Sequence, residues 1–289
     1  MTISVTAEQV EIQAESLDPK AAAAIYQEHG CLVVRGLMAP YARAVHQDIM
    51  TAAQRALESL GEAEKIVEGW RTPDGTLFIP APEHFGREQQ LMVVALSYHS
   101  SAAFFRSALD SRVAQIAEIV LGLDVELFGN GQVLVKEPHG GHAKHLHQDS
   151  AYFEHKYQGP MAILSYAGDT SVNNGALHVV PGSHRLGVLD HIDTFSHLGL
   201  DEKDWPWEKA VPIEGTAGDA IFFHVNTIHG SPENLSNTPR PVFISRYRRA
   251  DDFVTVGGTT AENRADAASH PKSEKSDSDR GLMILGSRH

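Results

Sequence analysis

The chain has 289 residues, 42% of them hydrophobic, and a formal net charge of −13. That is enough apolar chain for the core of one large domain, and the acidity argues against nucleic acid or an anionic membrane as partner. No run approaches the roughly 18 apolar residues of a membrane helix, the first residues show no basic-then-apolar leader, and the lone Cys31 excludes an intrachain disulfide, so a cytoplasmic protein is expected.

Along the chain, Asp18, Pro19 and Gly30 frame a first helix as cap, first position and stop. "GCLVVRGLM" (30–38) reads as a strand that buries Cys31. Tyr41, Val45, Ile49, Ala52, Ala56 and Leu60 then recur at helical spacing, closed by Gly61. The stretch 100–122 reads as one or two further helices. From about residue 125 the texture changes to short strands parted by turns: "VELFG", "GQVLVKEP", "AILSYAG", "ALHVVPGSH", "AVPIEG", "DAIFFHV" and "PVFISRYRR". Such strands, with "NNGA" and "TAGDA" as turn signals, predict a β-sandwich or barrel. The expectation is a single domain over 1–289, mostly β with flanking helices. Residues 1–124 form a mainly helical part packed on the sheet, 125–250 the β core, and 251–289 a polar tail or lid. The apolar "LMILG" near its end is placed to dock back on the body.

A histidine two residues before an aspartate occurs at His46/Asp48, His147/Asp149 and His191/Asp193. On a helix, side chains two apart point about 200° from each other, so His46 and Asp48 cannot grip one ion and read as a solvated face. On an extended chain they face the same way, which suits His147 and Asp149 after the "GQVLVKEP" strand. His191 and Asp193 lie in a long loop that nothing nearby completes. A 2-His-1-carboxylate triad needs one more histidine and leaves open positions, as in non-heme Fe(II) oxygenases. His229, after the strand "DAIFFHV", is the candidate. Arg240 follows on a strand that a turn folds back beside the first, deeper in the barrel, where a guanidinium can pair with a carboxylate. That combination describes a metal-chelating co-substrate with a distal carboxylate.

At this point the chain resembles the phytanoyl-CoA dioxygenase (PhyH-like) family of Fe(II)/2-oxoglutarate oxygenases over roughly residues 21–250. The markers are "GCLVVRGLM", "HLHQDSAYF", "NNGALHVVPGSH", "GTAGDAIFFHVNTIHGS" and "ENLSNTPRPVF". The resemblance implies a double-stranded β-helix (jelly-roll) core. It implies iron bound by His147, Asp149 and His229, 2-oxoglutarate held by Arg240 with Ser231 and Gln132, and O2 as oxidant. The reaction implied is a dioxygenase reaction, most simply hydroxylation of a small molecule with release of succinate and CO2. Leu164 departs from the family, standing where many members have Trp. Arg240, Val242, Ile244 and Arg246 share one face at period two, so Arg246 points inward, to a polar substrate group or to a local acid. Tyr152 is a second substrate candidate. His142 and His145 are read as loop residues, His178 and His184 as structural and His224 as core, while Trp205 and Trp207 suit lid and packing equally. The alternatives are a zinc hydrolase using His142, His145 and His147, and a catalytically silent binding protein on the same fold. Oligomeric state is left open.

Overall fold

The computed structural model describes residues 5–288 apart from Glu68, Gln158 and Ser196. The helix Pro19–His29 begins where the Asp18 side chain accepts the Lys20 backbone N–H at 3.0 Å. It ends at Gly30, whose φ of 69° closes an N–H on the Tyr26 carbonyl. A side chain at Gly30 would be strained and would also strike the His184 ring. The chain passes straight into the buried strand Cys31–Arg35. The long helix Ala39–Glu58 packs its Val45 and Ile49 face on the core, and the 100–122 stretch divides into helices Ala102–Ala108 and Ser111–Leu121, the second capped by Asp110.

Two sheets face each other to make the double-stranded β-helix. One contains, side by side, Ala220–His224, Met161–Tyr166, Arg240–Arg249 and Gln132–Lys136; the other contains Val211–Ile213, Leu177–Val179, His229–Ser231 and Lys144–His147. Neighbours within both are antiparallel. The alternation of the long strand fixes its faces. Val242 and Ile244 pack between the sheets with Leu164, Tyr166, Leu177, Val179 and Ile213. Phe243 and Tyr247 pack on the opposite side with Val45, Ile49, Phe104 and Ile116 of the helices. Arg240 and Arg246 therefore belong to the inward face.

Two features go beyond the expectation. The N-terminal part, besides its helices, contributes the strands Glu64–Ile66, Gly69–Arg71, Leu77–Pro80 and Gln89–Val94, which extend the first sheet beyond Gln132–Lys136. Three of these four strands have only three or four residues and display no period. In their turn, "TPDGT", Asp74 accepts from the Thr72 hydroxyl at 2.5 Å and the Thr76 N–H at 3.0 Å. The polar tail is also structured. Val254–Gly257 pairs with Phe153–His155, Ala261–Ser269 is a helix, and Met283–Leu285 adds to the edge of Val125–Leu127. The expected docking of the last apolar residues holds; a composition poor in apolar residues did not preclude order, because charged side chains anchor the segment. Among the described residues no helix is long and apolar enough to cross a membrane.

Candidate metal centre

His147 ends the strand Lys144–His147, and Gln148 keeps an extended backbone (φ −111°, ψ 141°), so Asp149, opening a short 3-10 turn, returns to the same side. His229 begins the strand His229–Ser231 and stands directly across the ladder from His147. Their Nε2 atoms lie 4.0 and 3.8 Å from Asp149 Oδ1. Among the described residues this is the one group of three or more His, Cys, Asp or Glu whose ligand atoms gather, all within 4.8 Å. Each imidazole Nδ1 meets the carbonyl two residues earlier, at 2.8 Å on His145 and 2.9 Å on Thr227. A carbonyl can only accept, so Nδ1 carries the proton and the Nε2 lone pair faces Asp149. Burial, foremost, holds both histidines below their ordinary pKa. Neutral imidazoles of this kind can serve as ligands to a divalent cation.

The residue between the ligands is a clamp. The buried Gln148 side chain donates to the carbonyls of Gly187 and Asn226 at 2.8 Å each and accepts the Leu189 N–H at 2.8 Å. Its own backbone N–H goes to His191 Nε2 at 3.0 Å, and His191 Nδ1 meets the Leu189 carbonyl at 2.8 Å. His191 thus braces the metal motif without joining it. The "PGSH" turn does the same for His229: Ser183 Oγ accepts the Ile228 N–H at 2.8 Å.

Arg240 is 3% exposed, and its Nε has no hydrogen-bond partner. Burial lowers its pKa to about 10, leaving it charged at neutral pH. An orphaned buried guanidinium on the inward face fits the far carboxylate of a dianion whose other end chelates metal. Its partner across the ladder is Lys136, which the sequence reading missed. Lys136 Nζ donates to the carbonyls of His142, at 2.7 Å, Ser231, at 3.0 Å, and Pro232. The buried Asn234 shapes the same loop, donating to the Lys136 and Thr238 carbonyls. Ser231 is buried two residues past His229, after a register slip. Gln132 lies at the other end of its strand, opposite Ile244, and accepts from Arg246 Nη2 at 3.1 Å. Arg246 Nε donates to Asp149 Oδ2 at 3.3 Å. Tyr152 is edge-on to His147 at 5.9 Å, with its hydroxyl donating to the Leu198 carbonyl at 3.1 Å and accepting from Lys144 Nζ at 3.2 Å.

A model of the phytanoyl-CoA dioxygenase family matches residues 26–242. The chain belongs to that family. It is similar to a probable alpha-ketoglutarate-dependent hypophosphite dioxygenase of Stutzerimonas stutzeri, 30% identical over 50% of this chain and 53% of that one. It is also similar to phytanoyl-CoA dioxygenase domain-containing protein 1 of Rattus norvegicus, 28% identical over 59% of this chain and 62% of the relative. The matched stretch thus spans less than two thirds of either curated relative. In fold it resembles the non-heme alpha ketoglutarate dependent carbocyclase SnoK from nogalamycin biosynthesis, with a TM-score of 0.60, 20% identity and coverage of 92% and 96% of the two chains.

For this member of the phytanoyl-CoA dioxygenase family, the alternative zinc set does not gather among the described residues. His145 Nδ1 is 2.6 Å from Glu202, and His142 lies beside Phe195 and His197. His46 and Asp48 are also not a bare solvated face. His46 Nδ1 meets the Ala167 carbonyl at 2.9 Å and Asp48 accepts from Ser101 at 2.6 Å, tying the long helix down. Trp205 and Trp207 pack on Leu146, Leu200, Ala210 and Ile228. Leu164 is an ordinary core residue, 4% exposed. One further residue was missed. Arg264, from the helix Ala261–Ser269, donates to the Ser150 and Ala151 carbonyls at 2.9 Å each and to Glu154 at 2.9 Å, so it grips the turn that carries Asp149. Charge alone, at a distance of more than a hundred residues, gives no signal of that.

Proposed function

We propose that this protein is a mononuclear Fe(II)- and 2-oxoglutarate-dependent dioxygenase that hydroxylates a small organic molecule and releases succinate and CO2. The observation that carries the reading is the pairing of two neutral imidazoles and a carboxylate around one point with an orphaned, buried Arg240 on the same inward surface. Fe(II) and 2-oxoglutarate, when bound, supply the oxidising chemistry with O2, and three protein ligands leave open positions for them. His147, Asp149 and His229 hold the metal. Arg240 takes the far carboxylate as a planar fork, while Ser231 and Lys136 shape that end of the pocket. Gln132 and Arg246 orient the Asp149 side of the cavity, Tyr152 and Phe153 wall it, and the closely packed sheets exclude water. The whole chain works as one oxygenase unit, with Val254–Gly257 and the helix Ala261–Ser269 backing the turn that carries Asp149. Its site of action is the cytoplasm, where Fe(II) and 2-oxoglutarate are available.

The test is binding before turnover. His147→Ala and His229→Ala should each abolish stoichiometric Fe(II) uptake, while His46→Ala retains it. Arg240→Lys should weaken 2-oxoglutarate binding by tenfold or more, because an ammonium cannot reproduce the fork. Undiminished metal uptake in a folded His147→Ala protein, or an unchanged 2-oxoglutarate affinity in Arg240→Lys, overturns the assignment.

A further inference from the structure

The inward face of the strand Arg240–Arg249 carries three arginines. The co-substrate accounts for Arg240 and the buried Glu126 for Arg248, which leaves Arg246. Arg246 is held on three sides. Its Nε donates to Asp149 Oδ2 at 3.3 Å, its Nη2 to Gln132 Oε1 at 3.1 Å, and its guanidinium lies 5.4 Å over the Phe153 ring. A guanidinium has five N–H donors, and these contacts use two. The side chain is 15% exposed and touches Asp149 of the metal triad, so the fork is neither fully enclosed nor fully used.

Charge decides what that fork meets. Fe(II) and Arg240 together bring three positive charges. Asp149 and the dianion of 2-oxoglutarate bring three negative ones, so the loaded centre is neutral without Arg246. The contact with Asp149 does not change that balance, since the one carboxylate is shared with the metal. The buried Lys136, whose pKa burial pushes down, supplies no negative charge. The acids on bordering elements are committed elsewhere, Glu154 to Arg264 and Glu202 to His145. A largely buried cation without its own anion is costly. A rigid, positively charged fork in a chain of net charge −13 also focuses anions into this one cleft.

We propose that Arg246 forms an anion subsite and that the substrate is a small oxyanion. Its acid group, a carboxylate or a phosphonate, pairs with Arg246, which presents the adjacent C–H bond to the metal. The fork is preorganised by Gln132 and Phe153, so little ordering is lost on binding. The proposal rests on the oxygenase reading above.

The experiment uses the full chain loaded with saturating Co(II) in place of Fe(II) and saturating 2-oxoglutarate, so that binding is read without turnover. Calorimetric titration compares matched pairs: propanoate against propanamide, and methylphosphonate against its dimethyl ester. The expected result is at least tenfold tighter binding of the anion in one pair, with the preferred pair distinguishing carboxylate from phosphonate. Arg246→Met should erase that preference, and Arg246→Lys should keep part of it. Equal affinities within both pairs overturn the subsite, as does a preference that survives in Arg246→Met. An anion that binds the Co(II)-loaded protein only when 2-oxoglutarate is left out also overturns it, because that anion sits at Arg240. If the Co(II)-loaded wild-type protein takes up no 2-oxoglutarate, the oxygenase reading itself fails and the subsite goes with it.

Discussion

His147 and His229 are prepared for a metal by their own backbone, since each gives its Nδ1 proton to a carbonyl two residues earlier. His224 shows the same neutral state used differently. Burial, and then the neighbouring His184, brings its pKa down to about 4, and its Nδ1 accepts the Asn226 N–H at 3.0 Å. An unfolded histidine titrates near 6.5, so between those values the unfolded chain binds more protons. The stability this neutral ring contributes is whole above pH 6.5 and is lost as pH falls toward 4. His224→Gln keeps an acceptor but cannot titrate. Unfolding free energy measured in metal-free protein between pH 6.5 and 4 should therefore fall less steeply in the variant, by up to one proton's worth of slope. Parallel slopes for the two proteins would refute the account.

At the scale of elements, the turn Asp149–Ala151 is short and needs outside support. Its carbonyls at Ser150 and Ala151 point at Arg264 on the helix Ala261–Ser269, whose first N–H in turn meets Asp193 at 2.9 Å. This helix lies beyond the stretch matched by the family model, yet it grips the turn that carries Asp149. Outer partners of this kind commonly change metal affinity by 10- to 100-fold. Arg264→Met should weaken Co(II) binding by roughly 10-fold and alter the visible spectrum of the bound ion, while Arg280→Met, which loses an exposed pair with Asp277, should do neither. A native spectrum and affinity in Arg264→Met would reduce the contact to surface packing.

Across the whole molecule, one buried carboxylate fastens the tail. Glu126 is fully buried and meets Arg248 at 2.8 Å, together with Lys275 and Arg288 from the tail. Burial alone would raise its pKa, but the hydrogen bonds from Lys275, Arg248 and Arg288 prevail and hold it below the usual carboxylate range. The pairing of Met283–Leu285 with Val125–Leu127 closes a sheet edge over the same spot. Glu126→Gln strands the buried Arg248 and should cost about 3–5 kcal/mol, with early proteolysis beyond residue 257. Arg288→Met, removing a partly exposed partner, should cost about 1 kcal/mol or less. Equal losses of thermal stability in the two variants would contradict this ranking.

The sequence by itself determined whatever local backbone geometry governs. Extended chain through Gln148 puts His147 and Asp149 on one side, period two puts Arg240 and Arg246 on one face, and Asp18 and Gly30 bound a helix. The first sheet's extra hairpins were not read from the sequence, because three of their four strands have only three or four residues and display no period. Tertiary structure alone decided the partners. Arg246 found Asp149 across 97 residues of chain, Lys136 came to lie beside Arg240, and Arg264 reached back to Ser150. It also gave His46 and Asp48 their anchors and ordered a tail that composition reads as loose. Steric rules act over a few residues, whereas a charged side chain takes whichever buried carbonyl or carboxylate the topology delivers, and that choice is written in the fold rather than in any short stretch of sequence.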